Sequence, residues 1–173
     1  MKEQDPNKIS YSQLVESLNR LGVEFLISGQ NIVESYHDQP ESLIAALSSN
    51  REARLRLALI PLFLQHPQLA SIVPYVVKRL PSTEQITLKC YYCAALILQQ
   101  KYHQRLKVLF GQQSTLPPLF LEQMGLQTVG DPDEKLIALA QKQQLLTGRL
   151  INWNGTYEHA VQRLLVHRER EKA

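Results

Sequence analysis

Apolar residues recur three and four positions apart along most of this chain, the period of helices that turn one face to a core. In SYSQLVESLNRLG they fall at 14, 15, 18 and 21, with Ser10 at the N-cap, Gln13 at the capping-box position and Gly22 as the stop. PESLIAALSSN predicts a short helix from Pro40. Asn50 and Glu52 open the next, in which residues 55 to 64 are apolar nearly all round except Arg56, the pattern of a central helix. Pro61 lies inside that pattern and predicts a kink toward the turn at QHP; a further helix follows over 68 to 80, bent or restarted at Pro74.

PSTEQITLKCYYCAALILQQKYHQRLKVLFG predicts the longest helix, capped by Ser82 with Gln85 at the box position and stopped by Gly111. LPPLFLEQMG predicts another short helix. DPDEKLIALAQKQQLLTG carries a full set of boundary signals: Asp131 as cap, Pro132 at N1, Glu134 at N3 and Gly148 as the stop. The last helix is expected to begin near Thr156. Only VEFLIS, 23 to 28, admits a short strand or an extended connector, followed by a weak helical pattern through Ile32, Val33 and Tyr36.

The pattern therefore predicts an all-α protein. Short junctions favour antiparallel neighbours, giving about seven to eight helices in an irregular bundle or a short HEAT-like solenoid. The solenoid alternative rests on a faint internal echo that pairs Leu55 with Leu88, Arg56 with Lys89 and Phe63 with Leu96. A chain of 173 residues suits a single domain, 1–173, with flexible ends expected near 1–8 and 168–173.

Composition changes this picture little. The opening MKEQDPNKIS lacks an apolar run after its lysine, which argues against a secretory or transit peptide and for a cytoplasmic protein. Leu57 to Val77 is long enough to cross a bilayer, but Gln65, His66, Pro67 and Gln68 at its centre predict two short buried helices joined by a polar turn, and no membrane association. A formal charge of +3, with the basic residues scattered, argues against nucleic acid as a partner; Arg51, Arg54 and Arg56 do not share one helical face.

Cys90 and Cys93 form a CxxC, but mid-helix, without the helix N-terminus that would lower a thiol pKa and with only half the ligands of a zinc site; they are expected in the core, with no metal and no cofactor. Within ESYHDQPES, His37 and Asp38 are a weak binding candidate in an expected loop. No nucleophile elbow, phosphate loop or dinucleotide signature is present, and no catalytic residue is assigned.

INWNGTYEHAVQRLL concentrates the chain's only tryptophan with polar residues at the start of a helix. Apolar positions 157, 160, 161, 164 and 165 make one stripe, so Tyr157 faces the core while Glu158, His159, Gln162 and Arg163 face away. Asn154 or Thr156 supplies the cap oxygen, Glu158 sits in the first turn where the helix dipole favours it, and Gly155 relieves the tight entry. Trp153 is expected to plug the gap to an earlier helix, its N–H meeting a carbonyl or water. Asn152, Trp153, Tyr157, Glu158 and His159 together exceed what a cap requires, which makes this corner a second binding candidate.

Three stretches, LIAALSSNREARLRLALIPLFLQHPQLA, LKCYYCAALILQQKY and NWNGTYEHAVQRLL, resemble a group of uncharacterised small bacterial all-helical proteins associated with neighbouring nucleotidyltransferase genes. The resemblance implies a nucleotidyltransferase as protein partner and brings no catalytic motif. LNRLGVEFLISG is similar to the opening of the nucleotidyltransferase fold itself, but the glycine-serine turn and the paired metal-binding aspartates that follow there are missing. HEPN-type helical ribonucleases, which accompany such enzymes, use an arginine followed by four to six residues and a histidine; Arg163 and His167 come nearest, with three between them, a departure that the ordinary i,i+4 relation explains.

The sequence thus favours a non-enzymatic helical interaction protein. A ribonuclease or other hydrolase of HEPN-like type and a nucleic-acid-binding module are the alternatives. A discrete cavity of convergent polar groups around His159 is the observation that would favour an enzyme.

Overall fold

The computed structural model describes residues 10–23 and 39–173. Nearly all of VEFLIS, the pattern through Tyr36, and the candidates His37 and Asp38 lie outside the described residues. Among those described, every regular element is helical: α1 (Tyr11–Arg20), α2 (Pro40–Ser49), α3 (Ala53–Leu57), α4 (Leu59–Gln65), a 3₁₀ segment (Pro67–Ile72), α5 (Val73–Arg79), α6 (Ser82–Lys101), α7 (His103–Phe110), α8 (Pro132–Thr147) and α9 (Trp153–Lys172). They form an irregular all-α bundle. The segments behind the internal echo are built differently, one broken into α3 and α4, the other continuous in α6.

Boundary chemistry explains several elements directly. Ser10 and Gln13 form the reciprocal capping box of α1, and Gly22 follows with a φ of 76°. At α8, Asp131 accepts from the Glu134 backbone N–H, Pro132 occupies the first turn, and Gly148 closes the helix in the left-handed region. Pro61 acts one turn upstream of itself. It lacks the N–H that would bond Leu57 and its ring crowds that carbonyl, and the helix breaks at Ala58 between α3 and α4.

The path Ala53–Gln65 then turns through 114° into Pro67–Arg79, as the polar centre of that apolar run predicts. Pro74 falls in the first turn of α5, where its missing N–H costs nothing. No single helix among the described residues is long and apolar enough to cross a membrane.

The core is organised on α6, which packs against α4 and α8, with α9 lying on α8, α4 and α7. Leu88 and the run Cys90–Leu98 are buried, so α6 is apolar on every side at its middle. Tyr92 meets Phe63 and Phe120 edge-on, with ring centroids 5.2 and 5.9 Å away, and its hydroxyl donates to the Pro117 carbonyl at 2.7 Å.

Three local expectations are corrected. LPPLFLEQMG forms turns over 119–125, not a helix. Pro117 and Pro118 supply no N–H, Phe120 adopts a φ of 65°, and Gln99 ties the preceding chain to α6 by donating to the Ser114 carbonyl and accepting from the Leu116 N–H. The predicted longest helix breaks at Tyr102, whose side chain is taken up by α9. Pro81, not Ser82, holds the N-cap of α6. Gln85 reaches back to the Leu80 carbonyl at 2.8 Å in place of a capping box. Helix α9 continues to Lys172, whose ammonium donates to the Val108 carbonyl at 2.9 Å.

Candidate functional site

The start of α9 lies three residues earlier than predicted. Asn152 is the cap, accepting from the Gly155 N–H at 3.0 Å, while Thr156 donates to the Asn152 carbonyl and is already helical. A Cβ on Gly155 would stand 2.6 Å from Asn152 Nδ2, so the capping amide can fold over this position only because glycine occupies it. An asparagine one residue ahead of the tryptophan thus displaces the two candidates behind it.

From there the predicted corner disperses. Trp153 and Tyr157 go inward, the first 6% exposed and the second fully buried. The Tyr157 hydroxyl donates to Gln143 Oε1, Gln143 being buried on α8, and the Tyr157 ring meets Tyr91 edge-on at 6.4 Å. Burial pushes the Tyr157 phenol well above its ordinary range and raises that of Tyr91, which Arg56 opposes. The Trp153 indole N–H, expected to find a carbonyl or water, has no acceptor among the described residues.

Glu158 and Gln162 do not simply face solvent. Glu158 accepts from the Tyr102 hydroxyl at 2.6 Å and from the Lys101 ammonium, which also pairs with Asp133 at 2.6 Å; Gln162 donates to the Tyr102 oxygen at 3.0 Å. Burial works against the Lys101 charge, but hydrogen bonds to Asp133 and Glu158 outweigh it and push its pKa up. Burial and the bond to Glu158 raise that of Tyr102. The break in the helix at Tyr102 creates this network, so its members could not be grouped from local sequence. Asn152 remains at the exposed cap, and His159 stands apart on another face.

Two of the cavities beside α9 bear on the candidate residues. One, of about 420 Å³, lies between α9, the end of α1 and α4; His159, Gln162, Arg163, His167 and Arg170 line it from α9, with Gln65 from α4. The other, of about 520 Å³, lies between the turn from α2 to α3, the start of α6, the end of α8 and Trp153; its charged lining is Arg51, Arg56, Arg149 and Glu84. Arg51 and Arg56, which share no helical face, thus share a cavity with an arginine from a distant part of the chain. No local signal announced Arg149.

The cysteines take the core positions expected of them. Both are fully buried, and burial pushes the Cys90 thiol up to about 12, far from a reactive thiolate at neutral pH. Cys93 Sγ lies 3.6 Å from the Leu119 carbonyl. His66 and His103 are engaged elsewhere, with the Leu21 and Gln100 carbonyls at 2.6 and 3.2 Å. Among the described residues no group of three or more His, Cys, Asp or Glu side chains is placed to hold a metal.

The junction of α8 and α9 presents a further feature that sequence reasoning missed. Leu145 and Leu150 are 81% and 88% exposed, and Leu146 and Ile151 are also exposed. The left-handed turn at Gly148 separates Leu145 and Leu146 at the end of α8 from Leu150 and Ile151 ahead of α9. The chain matches no family model, no curated protein and no solved structure.

Proposed function

We propose that the protein is a non-enzymatic helical interaction module that docks a protein partner through the α8–α9 corner. The supporting observation is the exposure of Leu145, Leu146, Leu150 and Ile151 within seven residues of chain around the α8–α9 turn. Isolated surface leucines need no explanation, whereas contiguous large aliphatics on water-facing positions mark association surfaces. A HEAT-like use of the helices, as a scaffold presenting one edge, accords with this role, as does a cytoplasmic location with a nucleotidyltransferase as the first partner to try. Leu145→Asp with Leu150→Asp leaves the melting temperature near that of the parent, because both side chains lie outside the core, and abolishes co-purification of the partner. Equal recovery of that partner by parent and variant overturns the proposal.

A second reading, a ribonuclease of HEPN-like type, is favoured by the cavity that gathers His159, Arg163 and His167. It ranks second on two grounds. Among the described residues no carboxylate, serine or cysteine lines that cavity, and eight residues of helix put about 12 Å of rise between the two histidines, too far apart to flank one reacting phosphate. Cleavage of a labelled single-stranded RNA by the parent, lost in His159→Ala and in His167→Ala, would put this reading first. RNA retention without cleavage, weakening steeply with salt, would instead indicate a binding module.

A further inference from the structure

We infer that the cavity beside Trp153 binds a small phosphomonoester, its phosphate held by Arg51, Arg56 and Arg149 and its apolar body laid against Trp153, Ile86 and Leu146. This site is independent of the partner-docking reading, with which it shares only Leu146. At about 520 Å³ it has the size of a small-molecule site, which spans roughly 300–1,000 Å³.

The charge lining it is three guanidiniums against the single carboxylate of Glu84. Arg51 and Arg149 have no carboxylate partner among the described residues. Arg56 is oriented: its Nη1 donates to the Asn50 and Arg51 carbonyls at 2.7 and 2.8 Å, which fixes the turn from α2 to α3 as well as the guanidinium. Planar forks of this kind match phosphate oxygens in pairs.

Two further features of the lining bear on what the cavity can hold. The Trp153 side chain lines the cavity, is more than nine-tenths buried, and carries an N–H with no acceptor among the described residues. A buried unpaired donor is rare in a native structure; this nitrogen is sealed from solvent, so a ligand acceptor reaches it only where the cavity lining shifts. The exposed Ser49 and Thr83, which line the same cavity, make no side-chain hydrogen bond among the described residues. Two arginines without a carboxylate, a third oriented by backbone carbonyls, two hydroxyls and Trp153 thus line one cavity with apolar Ile86 and Leu146. The required ligand is both dianionic and partly apolar, which a phosphomonoester supplies and a simple carboxylate does not. A nucleic acid would need an extended basic track, and this charge is confined to one cavity.

Because Trp153 is the only tryptophan, its emission reports occupancy directly. The parent protein is titrated with phenyl phosphate, inorganic phosphate, benzoate and a short single-stranded RNA. Phenyl phosphate is expected to give a saturable change with a Kd on the order of 0.1–1 mM, inorganic phosphate a weaker one and benzoate none. Arg51→Gln with Arg149→Gln, both on exposed side chains, should keep the parent's melting temperature and weaken phenyl phosphate by about tenfold or more. Arg170→Gln, in the other cavity, should leave it unchanged. Absence of a saturable response to phenyl phosphate, or unchanged affinity in the double variant, overturns the site. Equal binding of inorganic and phenyl phosphate overturns the apolar half of the assignment, and tighter binding of the RNA overturns the ligand class.

Discussion

At its N-terminal end α9 sends Trp153 and Tyr157 into the core and joins Glu158 to Lys101 and Tyr102. In its C-terminal half, Arg168 spans to Gln65 Oε1 at 2.8 Å and to the Gly22 carbonyl, while Glu169 takes a two-point ion pair from Arg105 at 2.9 and 3.0 Å. Both halves are rich in polar contacts, and the second has the more favourable ion-pair geometry. Yet the Arg105–Glu169 pair is open to water, whereas the Tyr157–Gln143 bond is buried. The same kinds of polar group therefore contribute differently to stability. Exclusion of solvent sets the energy of a contact more than its geometry does.

The largest test of this difference is Trp153→Ala, which removes a buried ring and should destabilise the fold by roughly 3–5 kcal/mol in thermal or denaturant unfolding. A variant melting within about two degrees of the parent would show that this end of α9 is no better anchored than the other. Tyr157→Phe keeps the ring and deletes only the donor to Gln143. It should cost about 1–3 kcal/mol because it leaves a buried acceptor unpaired. A neutral result would show Gln143 finding a second donor.

Glu158→Gln comes next, with an expected loss of about 1 kcal/mol or less, since Lys101 and Glu158 are each about a quarter exposed and solvent screens their attraction. Its pH dependence has a definite sign. The folded-state pKa of Lys101 is raised, so its stabilising contribution is complete below its unfolded value of about 10.4 and is lost only as pH rises through the folded value. The stability difference between parent and Glu158→Gln should be flat between about pH 7 and 9. A difference that shrinks over that window would locate the effect in another group.

The smallest effect is predicted for Glu169→Gln. Its carboxyl is held below the usual range by the Arg105 hydrogen bond, so any stabilising contribution is present above the ordinary carboxylate pKa and fades as pH falls through the folded value. The group is exposed, and no resolvable change in melting temperature is expected at neutral pH. A drop comparable to that of Tyr157→Phe would erase the contrast between the two halves.

Local rules located much of the candidate site without identifying its use. The stripe Tyr157–Leu165 and the plug at Trp153 follow from helical period and side-chain size, and both are buried. First-turn position alone relates Glu158 to the helix dipole, whereas its main partners are Lys101 and Tyr102, because that network depends on a helix break at Tyr102 that no local residue signals. Arg149 carried no signal at all. An isolated arginine after a helix stop acquires meaning only from what stands opposite it, here Arg51 and Arg56.

By itself the sequence determined where most helices begin and end, because caps, prolines and glycines act on bonds within a few residues of themselves: Ser10 with Gln13, Asp131 with Glu134, Pro61 on Ala58, Gly148 after Thr147. It also determined which faces are apolar, since the helical period is a property of the backbone. Only the tertiary structure decided that LPPLFLEQMG stays unwound, through hydrogen bonds from Tyr92 and Gln99 that lie far off in sequence. It alone brought three arginines around one buried indole, and left four aliphatic side chains uncovered around the α8–α9 turn. Proximity between distant residues depends on how helices pack, and packing is set by the summed fit of the whole core rather than by any short stretch of chain.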